Sequence, residues 1–293
     1  MSNLHEIQDR INSVKSTRKI TRAMYLIAAS KSQKAKAQLA STLPYFLEVA
    51  STLSEILAAS AFIDTHFLAG REKRGASEKG GLYVVFGGDK GMAGGYNQRV
   101  IALMRERVDK ASATVLAAGM TGKVRLSREG YRVDPDFFYP IMNPSIYRSR
   151  SIAGLVAERY LTGQYKEVGL IYTSVVSPIK QTPVFARLLP LHPEEFAEIG
   201  GVRPEAAKYN IIKYEPSARE VFDHLVPHYL NGIIYSALVE AYVSEQLARI
   251  YAMDNATKSA DDMMASLALR FNRARQAKIT QEISEIVGGI PES

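Results

Sequence analysis

The chain has 293 residues, a formal net charge of +7 and no cysteine. The absence of cysteine excludes disulfides, thiolate catalysis and cysteine-based zinc sites. Hydrophobic residues make up 46% of the chain and charged residues 23%, which is typical of a water-soluble globular protein. No apolar run is long enough to span a bilayer and no signal-peptide pattern is present, so we expect a cytoplasmic protein whose positive charge favours an acidic partner.

The N-terminal segment, residues 4–57, repeats apolar or small residues at alternating steps of three and four. One heptad phase includes Leu4, Ile7, Ile11, Val14, Tyr25, Ala28, Ala35, Leu39, Phe46, Val49, Leu53 and Ile56, with Arg18, Thr21, Ser32 and Thr42 as its polar members. A heptad repeat of this length predicts a left-handed coiled coil. The small and polar middle predicts a weak seam, and Pro44 predicts a bend.

The same segment is strongly basic, because it carries no acidic residue between Asp9 and Glu48. Its cations are Arg10, Lys15, Arg18, Lys19, Arg22, Lys31, Lys34 and Lys36. Like charges without acidic partners at helical spacing repel one another and favour an external anion, although such a segment is also typical of a solvated face. Nucleic acid and an acidic protein surface both fit the charge, but the segment has few aromatic side chains for base stacking and no recognised nucleic-acid motif.

After Phe62 the pattern changes to short apolar runs that alternate with amphipathic segments. The predicted strands are Leu82–Phe86, Ala113–Ala118, Asp136–Tyr139, Val168–Val176 and Pro183–Leu191, and the predicted helices are Gln98–Lys110 and Ser151–Leu161. We expect the last two strands to pair through a turn around Ser177–Thr182. Alternation of strands and helices predicts a Rossmann-like α/β domain.

The loop after the first strand, GGDKGMAGGYN, is rich in glycine and could in principle hold a phosphate. Its spacing does not fit GxGxxG, no Lys-Ser/Thr pair follows as in a P-loop, and the second strand lacks an acidic residue for a ribose. A tight structural turn is therefore the main prediction for this loop, and a nucleotide-dependent enzyme is an alternative.

Candidate catalytic and metal-binding groups are few. His224 and His228 share a helix face, but the sequence offers no third ligand. Asp261 and Asp262 are adjacent on a predicted helix, so their carboxylates point apart and do not pair for acid–base chemistry. The sequence therefore predicts no catalytic residue, no cofactor and no metal.

The C-terminal stretch from Ser217 to Val287 predicts one very long helix. Ser217 and Glu220 have the spacing of a capping box, and Gly288 and Gly289 end the apolar periodicity. Fully helical, the stretch would be roughly 105 Å long, so it needs a partner along its length. Residues 217–293 carry seven basic and ten acidic residues, whereas residues 1–57 carry eight and four; opposite charge favours pairing of the two ends.

Several motifs resemble the gamma subunit of F-type ATP synthases. They are SEQLARIYAMDNAT (Ser244–Thr257), NRARQAKITQEISEIVGG (Asn272–Gly289), ITRAMYLIAASK (Ile20–Lys31), GGDKGMAGGYN, LLPL (Leu188–Leu191) and YEPS (Tyr214–Ser217). The resemblance covers the whole chain in order. It departs at the tail GGIPES, where members of the family often end in small apolar residues. No transit peptide precedes the motifs, which favours a bacterial protein.

The resemblance implies a long antiparallel two-helix coiled coil, formed by the N- and C-terminal helices, plus a central Rossmann-like α/β domain. The expected divisions are an N-terminal helix at 1–60, a linker at 61–81, the α/β domain at 82–205, a second linker at 206–216 and the C-terminal helix at 217–293. If both helices rise equally per residue, Met24 lies near Ile250 and Leu4 near Arg270. Residues near 271–287 then form a single-helix overhang that other subunits shelter.

The function that the resemblance implies is that of a central-stalk rotor without catalytic activity of its own, which couples proton flow to ATP synthesis. Its expected partners are the alpha and beta subunits of the F1 ring, the epsilon subunit and the c-ring of Fo, at the cytoplasmic face of the bacterial plasma membrane. It would be peripheral, touching the membrane only through the complex, and would bind no nucleic acid. The expected subunit-contact residues are Lys15, Arg18, Lys19, Arg22 and Met24 on the first helix, and Glu245, Arg249, Arg275, Gln276, Thr280 and Glu282 on the last.

The alternative from a different class is a free-standing basic coiled-coil module that binds nucleic acid or a membrane surface. Such a module would use the same basic helix but would not require the RARQAKITQE segment.

Overall fold

The computed structural model describes residues 2–59, 63–69, 80–192 and 214–288. The helices are α1 (Ser2–Ala59), α2 (Tyr96–Arg107), α3 (Met120–Arg128), α4 (Ile146–Leu161) and α5 (Ala218–Gly288). The strands are β1 (Leu82–Phe86), β2 (Thr114–Ala118), β3 (Arg132–Val133), β4 (Val168–Val175) and β5 (Gln181–Leu189). Most of both expected linkers, and the tail GGIPES after Gly288, lie outside the described residues.

The chain divides into two compact units, and each is described by itself. The terminal helix pair consists of Met1–Ala29 and Arg249–Ser293, and the central unit consists of Ser30–Ala248. Helices α1 and α5 each contribute residues to both units and continue through Pro44 and Pro227. The sequence prediction of two long terminal helices that pack together, with an α/β sheet between them in the chain, is confirmed.

A five-stranded sheet with the order β3-β2-β1-β4-β5 organises the central unit. Strand β1 is parallel to β2 and β4, β3 is parallel to β2, and only β5 is antiparallel to its neighbour. All five residues of β1 are buried, as its central position requires. The β4–β5 pair is the hairpin that the sequence predicts.

Three details of the fold differ from the sequence prediction. Residues 136–139 form no strand, because the Asp134 carboxylate accepts the backbone N–H groups of Asp136 and Phe137 and turns the chain there. The third strand is instead the short β3. Helix α3 was not predicted: it starts after Gly119, which has a φ of 89° and no side chain to cap the helix.

Apolar side chains cover both faces of the sheet. On one face α2 and α3 pack Val100, Met104 and Leu126 against Val85 and Val115. On the other face α4 packs Ile152 and Val156, while α1 and α5 add the buried residues Leu53, Ile56, Phe222, Val226, Leu230, Ile234 and Leu238. The long helices are therefore part of the core of the central unit.

Close contact between α1 and α5 within the central unit depends on Gly232. A Cβ placed on this glycine would lie 2.7 Å from ring carbons of Phe46, nearer than real side-chain contacts allow. Helix α5 starts with Ser217 as its cap, where the Ser217 hydroxyl accepts the N–H of Glu220 at 3.2 Å. The Glu220 carboxylate accepts from the Ser217 hydroxyl at 3.3 Å, so the capping box forms in part.

In the terminal helix pair, the part of the seam around Thr21 is small and polar, as the sequence predicts for the middle of the heptad repeat. The hydroxyl oxygens of Thr21 and Thr257 lie 2.7 Å apart, and Arg18 Nε lies 2.5 Å from Asp261 Oδ1. Equal rise predicted Met253 as the partner of Thr21, so the observed partner is four residues, about one helical turn, farther along. The helix ends explain most of this difference, because α1 extends to Ala59 and α5 begins at Ala218.

The Gly232–Phe46 approach predicts opposite effects of one substitution at two helical glycines. Gly232→Ala should lower the free energy of unfolding by about 1–3 kcal/mol, because the new methyl group displaces a buried ring. Gly154→Ala in α4 meets no atom within 4 Å and should raise the free energy of unfolding by about 0.5–1 kcal/mol through helix propensity. Urea denaturation followed by circular dichroism measures both, and equal effects at the two sites would contradict the packing argument.

Candidate subunit-contact surfaces

The carboxyl ends of β1 and β4 are where a doubly wound sheet usually binds a ligand, because the chain crosses to the other side of the sheet between them. Helix α5 occupies this position. Tyr96 donates its hydroxyl to the carbonyl of Ala241 at 3.1 Å, and Ser244 donates to the carbonyl of Thr173 at 2.9 Å. Burial, and after it the charge of Glu245, raises the pKa of Tyr96, so the phenol keeps its proton and remains a donor.

The glycine-rich loop after β1 is held in place by its one carboxylate, Asp89. Asp89 accepts the N–H of Met120, the first residue of α3, at 3.3 Å and the N–H of Met142 at 2.6 Å. The N-terminus of a helix is a favourable place for an anion, and at α3 the Asp89 carboxylate of the loop occupies that place. A Cβ on Gly119 would collide with the carbonyl oxygen of Gly87, so glycine is needed for close approach. These contacts support the prediction of a structural turn.

The prediction that Glu245 belongs to a subunit-contact surface needs correction. Its side chain is only 2% exposed, and its carboxyl carbon would lie 3.5 Å from a Cβ placed on Gly88. It therefore belongs to the interior of the central unit beside the glycine-rich loop, and we remove it from the set of surface contacts. Arg249, one turn later, is half-buried.

The predicted contact residues of α1 differ in whether their charged groups already interact with other groups of the chain. Arg18 is paired with Asp261, and the guanidinium of Arg22 lies 5.1 Å from the ring centre of Tyr25. Lys15 and Lys19 are exposed and form no ion pair with any residue that the structure describes. Met24 is half-buried in the terminal helix pair. Lys15, Lys19 and Arg22 therefore form a basic surface whose charges remain available to another molecule.

Three apolar residues next to these cations were missed by the sequence analysis. Ile20, Leu26 and Ile27 are each more than half exposed. They lie outside the heptad seam, and their presence on the outward face of α1 is the signal that could have revealed them. Exposed apolar side chains bordered by polar ones are typical of a protein-binding face.

The predicted contact residues near the end of α5 are all exposed. They are Arg275, Gln276, Thr280 and Glu282. Lys278 pairs with Glu282 at 3.4 Å, and the Thr280 hydroxyl donates to the carbonyl of Gln276 at 3.0 Å. The start of α1 reaches a cleft that Leu4 shares with Phe271 and Lys278, so α1 still lies beside α5 past residue 271, where the overhang was predicted to begin. Every described side chain from 275 to 284 is exposed, and the side chains of Ile286 and Val287 lie outside the described residues.

The remaining candidate sites are the histidine pair of α5, a metal site and a membrane-spanning helix. The His228 ring lies 3.1 Å from the Tyr45 hydroxyl in a hydrogen bond. In the described part of the chain, no group of three or more histidine, cysteine, aspartate or glutamate residues is placed to hold a metal ion. No helix within that part is long and apolar enough to cross a membrane.

The position of Asp89 predicts a structural cost of its removal. Asp89→Ala leaves the N–H groups of Met120 and Met142 without their acceptor and should lower the free energy of unfolding by about 1–3 kcal/mol. Asp262→Ala removes an exposed carboxylate of α5 and should change it by less than about 0.5 kcal/mol. Chemical denaturation measures both variants, and an unaltered Asp89→Ala protein would show that the loop is not held this way.

Comparison with known proteins gives one consistent result. A family model described as ATP synthase matches residues 3–291. The chain is 44% identical to the ATP synthase gamma chain of Ruminiclostridium cellulolyticum, with 98% of both chains covered. It is 43% identical to the ATP synthase gamma chain of Caldicellulosiruptor saccharolyticus, with 97% of this chain and 96% of the relative covered.

A solved structure shares the fold. It is a chain of the Euglena gracilis mitochondrial ATP synthase, in an assembly described as OSCP, F1 and c-ring. It aligns with a TM-score of 0.66 at 17% identity and covers 98% of this chain and 93% of that one. Family membership rests on the sequence matches, and the likeness of fold agrees with them. The chain belongs to the ATP synthase gamma chain family.

Proposed function

We propose that this chain carries rotation of a membrane c-ring to the catalytic beta subunits of an F1 ring and so couples ion flow, expected to be proton flow, to ATP synthesis. The observation that carries the proposal is that α5 is one continuous 71-residue helix. Its residues 222–241 contribute to the core of the central unit, and its residues 275–284 are exposed. A helix that is anchored at one end and exposed at the other can transmit torque to a surrounding ring.

Each contact surface has a partner in this proposal. Lys15, Lys19 and Arg22 face acidic loops of the beta subunits, and the exposed end of α5, with Arg275, Gln276, Thr280 and Glu282, is held by the ring of alpha and beta subunits. Arg18 and Met24 belong to the same surface as supporting residues, and Arg249 lies at its lower end. The central unit sits against the epsilon subunit and the c-ring. The chain is then peripheral at the cytoplasmic face of the bacterial membrane, through the complex alone.

Co-purification tests this proposal most directly. A tagged full-length chain should bring down alpha, beta and epsilon subunits from its own host, and the isolated F1 assembly should rotate a probe attached to the central unit when it hydrolyses ATP. Recovery of nucleic acid or of vesicles in place of these subunits would support the free-standing basic module instead.

Reversal of the basic surface should affect coupling more than assembly. Exposed ion pairs contribute only about 0.2–1 kcal/mol each, too little to hold a complex together but enough to change the relative populations of rotary positions severalfold. The triple variant Lys15→Glu, Lys19→Glu, Arg22→Glu should therefore assemble, and ATP synthesis in vesicles should fall more than ATP hydrolysis. The loss should shrink at high salt, where screening weakens the new repulsion.

A control with the same charge change separates this surface from net charge. Arg107, Arg125 and Arg128 are exposed on α2 and α3 of the central unit, and their reversal to glutamate changes the net charge equally. Synthesis at low salt should fall in the first variant well below its level in the control. Failure of the first variant to assemble would mean that the charges are structural, and unchanged synthesis would mean that they form a solvated face.

The end of α5 should hold the chain in its ring through apolar contacts. Ile279 and Ile283 are 46% and 55% exposed in the chain alone. If the ring covers them, each contributes about 1.5–3 kcal/mol to the stability of the complex. Ile279→Ser with Ile283→Ser should therefore weaken binding to the alpha–beta ring at least about tenfold, measured by dissociation of the labelled chain. Gln281→Ser, on another face of the same turns, is the matched control, and equal dissociation of the two variants would argue against the apolar contact.

A further inference from the structure

The turn between β4 and β5 exposes two large apolar side chains. Ile179 is 80% exposed and Val176 is 63% exposed, among the most exposed large hydrophobic residues of the described chain. Both lie at the end of a hairpin whose strands pair from Val168–Leu189 to Val175–Gln181. Single exposed apolar residues are common, but here Val176 directly precedes the four-residue turn that contains Ile179. Two such residues within five positions give a small apolar surface, which we call the hairpin tip (residues 176–180).

Hydrogen bonds hold the backbone of the hairpin tip in one conformation. Ser177 and Lys180 exchange backbone N–H···O bonds at 3.0 and 3.2 Å. The Ser177 hydroxyl oxygen also accepts the N–H groups of Ile179 at 3.3 Å and Lys180 at 3.0 Å, and the Gln181 amide donates to the carbonyl of Pro178 at 2.9 Å. The polar groups of the turn are therefore largely satisfied internally, so that covering the tip would cost little desolvation.

The base of the hairpin is fixed to α5. The N–H of Val175 donates to Glu240 Oε2 at 3.2 Å, one turn of α5 before Ser244, which donates to Thr173 on the same strand. These two contacts join β4 to the helix that fills the sheet crevice. A tip on such a base is preorganised, and a preorganised apolar anchor loses little conformational freedom when it binds.

The chemistry of the tip favours a protein pocket over the other possible occupants. Its one cation is Lys180, which forms no ion pair with any described residue, whereas attraction to an anionic lipid surface is typical of clusters of four to eight basic residues. Self-association through two such small tips would bury far less than the roughly 1,200 Å² of a stable interface. Two β-branched side chains with few rotamers instead suit a preformed apolar pocket.

We propose that the hairpin tip is an anchor that inserts Ile179 and Val176 into an apolar pocket of another protein subunit, with an acidic side chain of that subunit facing Lys180. The inference rests on the proposed function in one respect, namely that the partner belongs to the assembled complex. It adds a contact that neither the basic surface of α1 nor the exposed end of α5 supplies.

Photo-crosslinking identifies what covers the tip. The chain has no cysteine, so Ile179→Cys can be labelled specifically with a benzophenone maleimide in the full-length protein. Ala102→Cys, exposed on α2, is the matched control. After assembly and illumination, mass spectrometry should find the Ile179 label joined to one segment of another subunit, rich in apolar residues next to an acidic one, at a yield at least about fivefold above that of the control.

The possible outcomes separate this inference from the proposed function. A labelled chain that recovers no other subunit overturns the proposed function. A chain that assembles but crosslinks no better than the control, or crosslinks only to lipid or to a second copy of itself, overturns the hairpin-tip inference alone.

A second measurement covers the energetics. Ile179→Ser keeps every hydrogen bond of the turn, so its unfolding midpoint should stay that of the wild type. Its affinity for the crosslinked subunit should fall about ten- to a hundredfold. Val124→Ser, which truncates an exposed apolar residue of α3, should leave that affinity within about twofold. Equal affinities of the two variants would overturn the anchor.

Discussion

The packing of α5 into the carboxyl-edge crevice is the interaction on which the central unit depends. In a doubly wound sheet this crevice is open and receives a ligand. Here the helix closes it through the hydrogen bonds of Tyr96 and Ser244. The buried residues Phe222, Leu230, Ile234 and Leu238 of the same helix belong to the core on the α4 side of the sheet. Each such side chain contributes about 1.5–3 kcal/mol when buried, against a net stability of about 5–15 kcal/mol for a typical domain. We therefore expect the sheet to lose most of its stability without the helix, which fills the place that a ligand takes in other doubly wound sheets.

The same helix is held quite differently in the terminal helix pair. There the described seam contains Ala28, Ala260, Met253 and Leu267 among its few buried apolar residues, and its cross-helix bonds join Thr21 to Thr257 and Arg18 to Asp261. Small side chains bury little area and hydroxyl pairs add about 1 kcal/mol, so this unit has a much smaller margin of stability. Local stability therefore falls from the central unit to the helix pair, where most of the proposed contact residues lie.

The sequence predicts elements correctly where burial imposes a regular spacing of apolar residues. It fails where one hydrogen bond or one backbone angle determines the local structure. The strands Leu82–Phe86 and Val168–Val175 and both long helices were predictable, because many residues repeat the same signal. The turn at Asp134 and the start of α3 at Gly119 depend on one carboxylate and one backbone angle, which no period reveals. Glu245 was assigned to the surface from its place in a motif, but a motif fixes position along the chain and says nothing about which face of a helix is covered. The closing of the crevice by α5 joins parts of the chain about 150 residues apart, as in the Tyr96–Ala241 bond, and could be found only in the fold.

In a rotor, the exposed charges and the exposed apolar side chains of α1 suit different roles in binding to the ring. A rotating surface must bind its ring well enough to remain in it, but no angular position may be favoured by much more than about 1.4 kcal/mol over the next, since that difference already changes populations tenfold. Exposed charges such as Lys15 and Lys19 supply terms of about this size or smaller and act over about 8–10 Å at ordinary salt. Apolar side chains act only on contact, and each contributes more. Ile20, Leu26 and Ile27, which lie among the cations, and Ile279 and Ile283 at the end of α5 are therefore suited to retention, whereas the unpaired lysines are suited to the preference among positions. Arg18 fits neither role, because its charge is already neutralised by Asp261 within the chain.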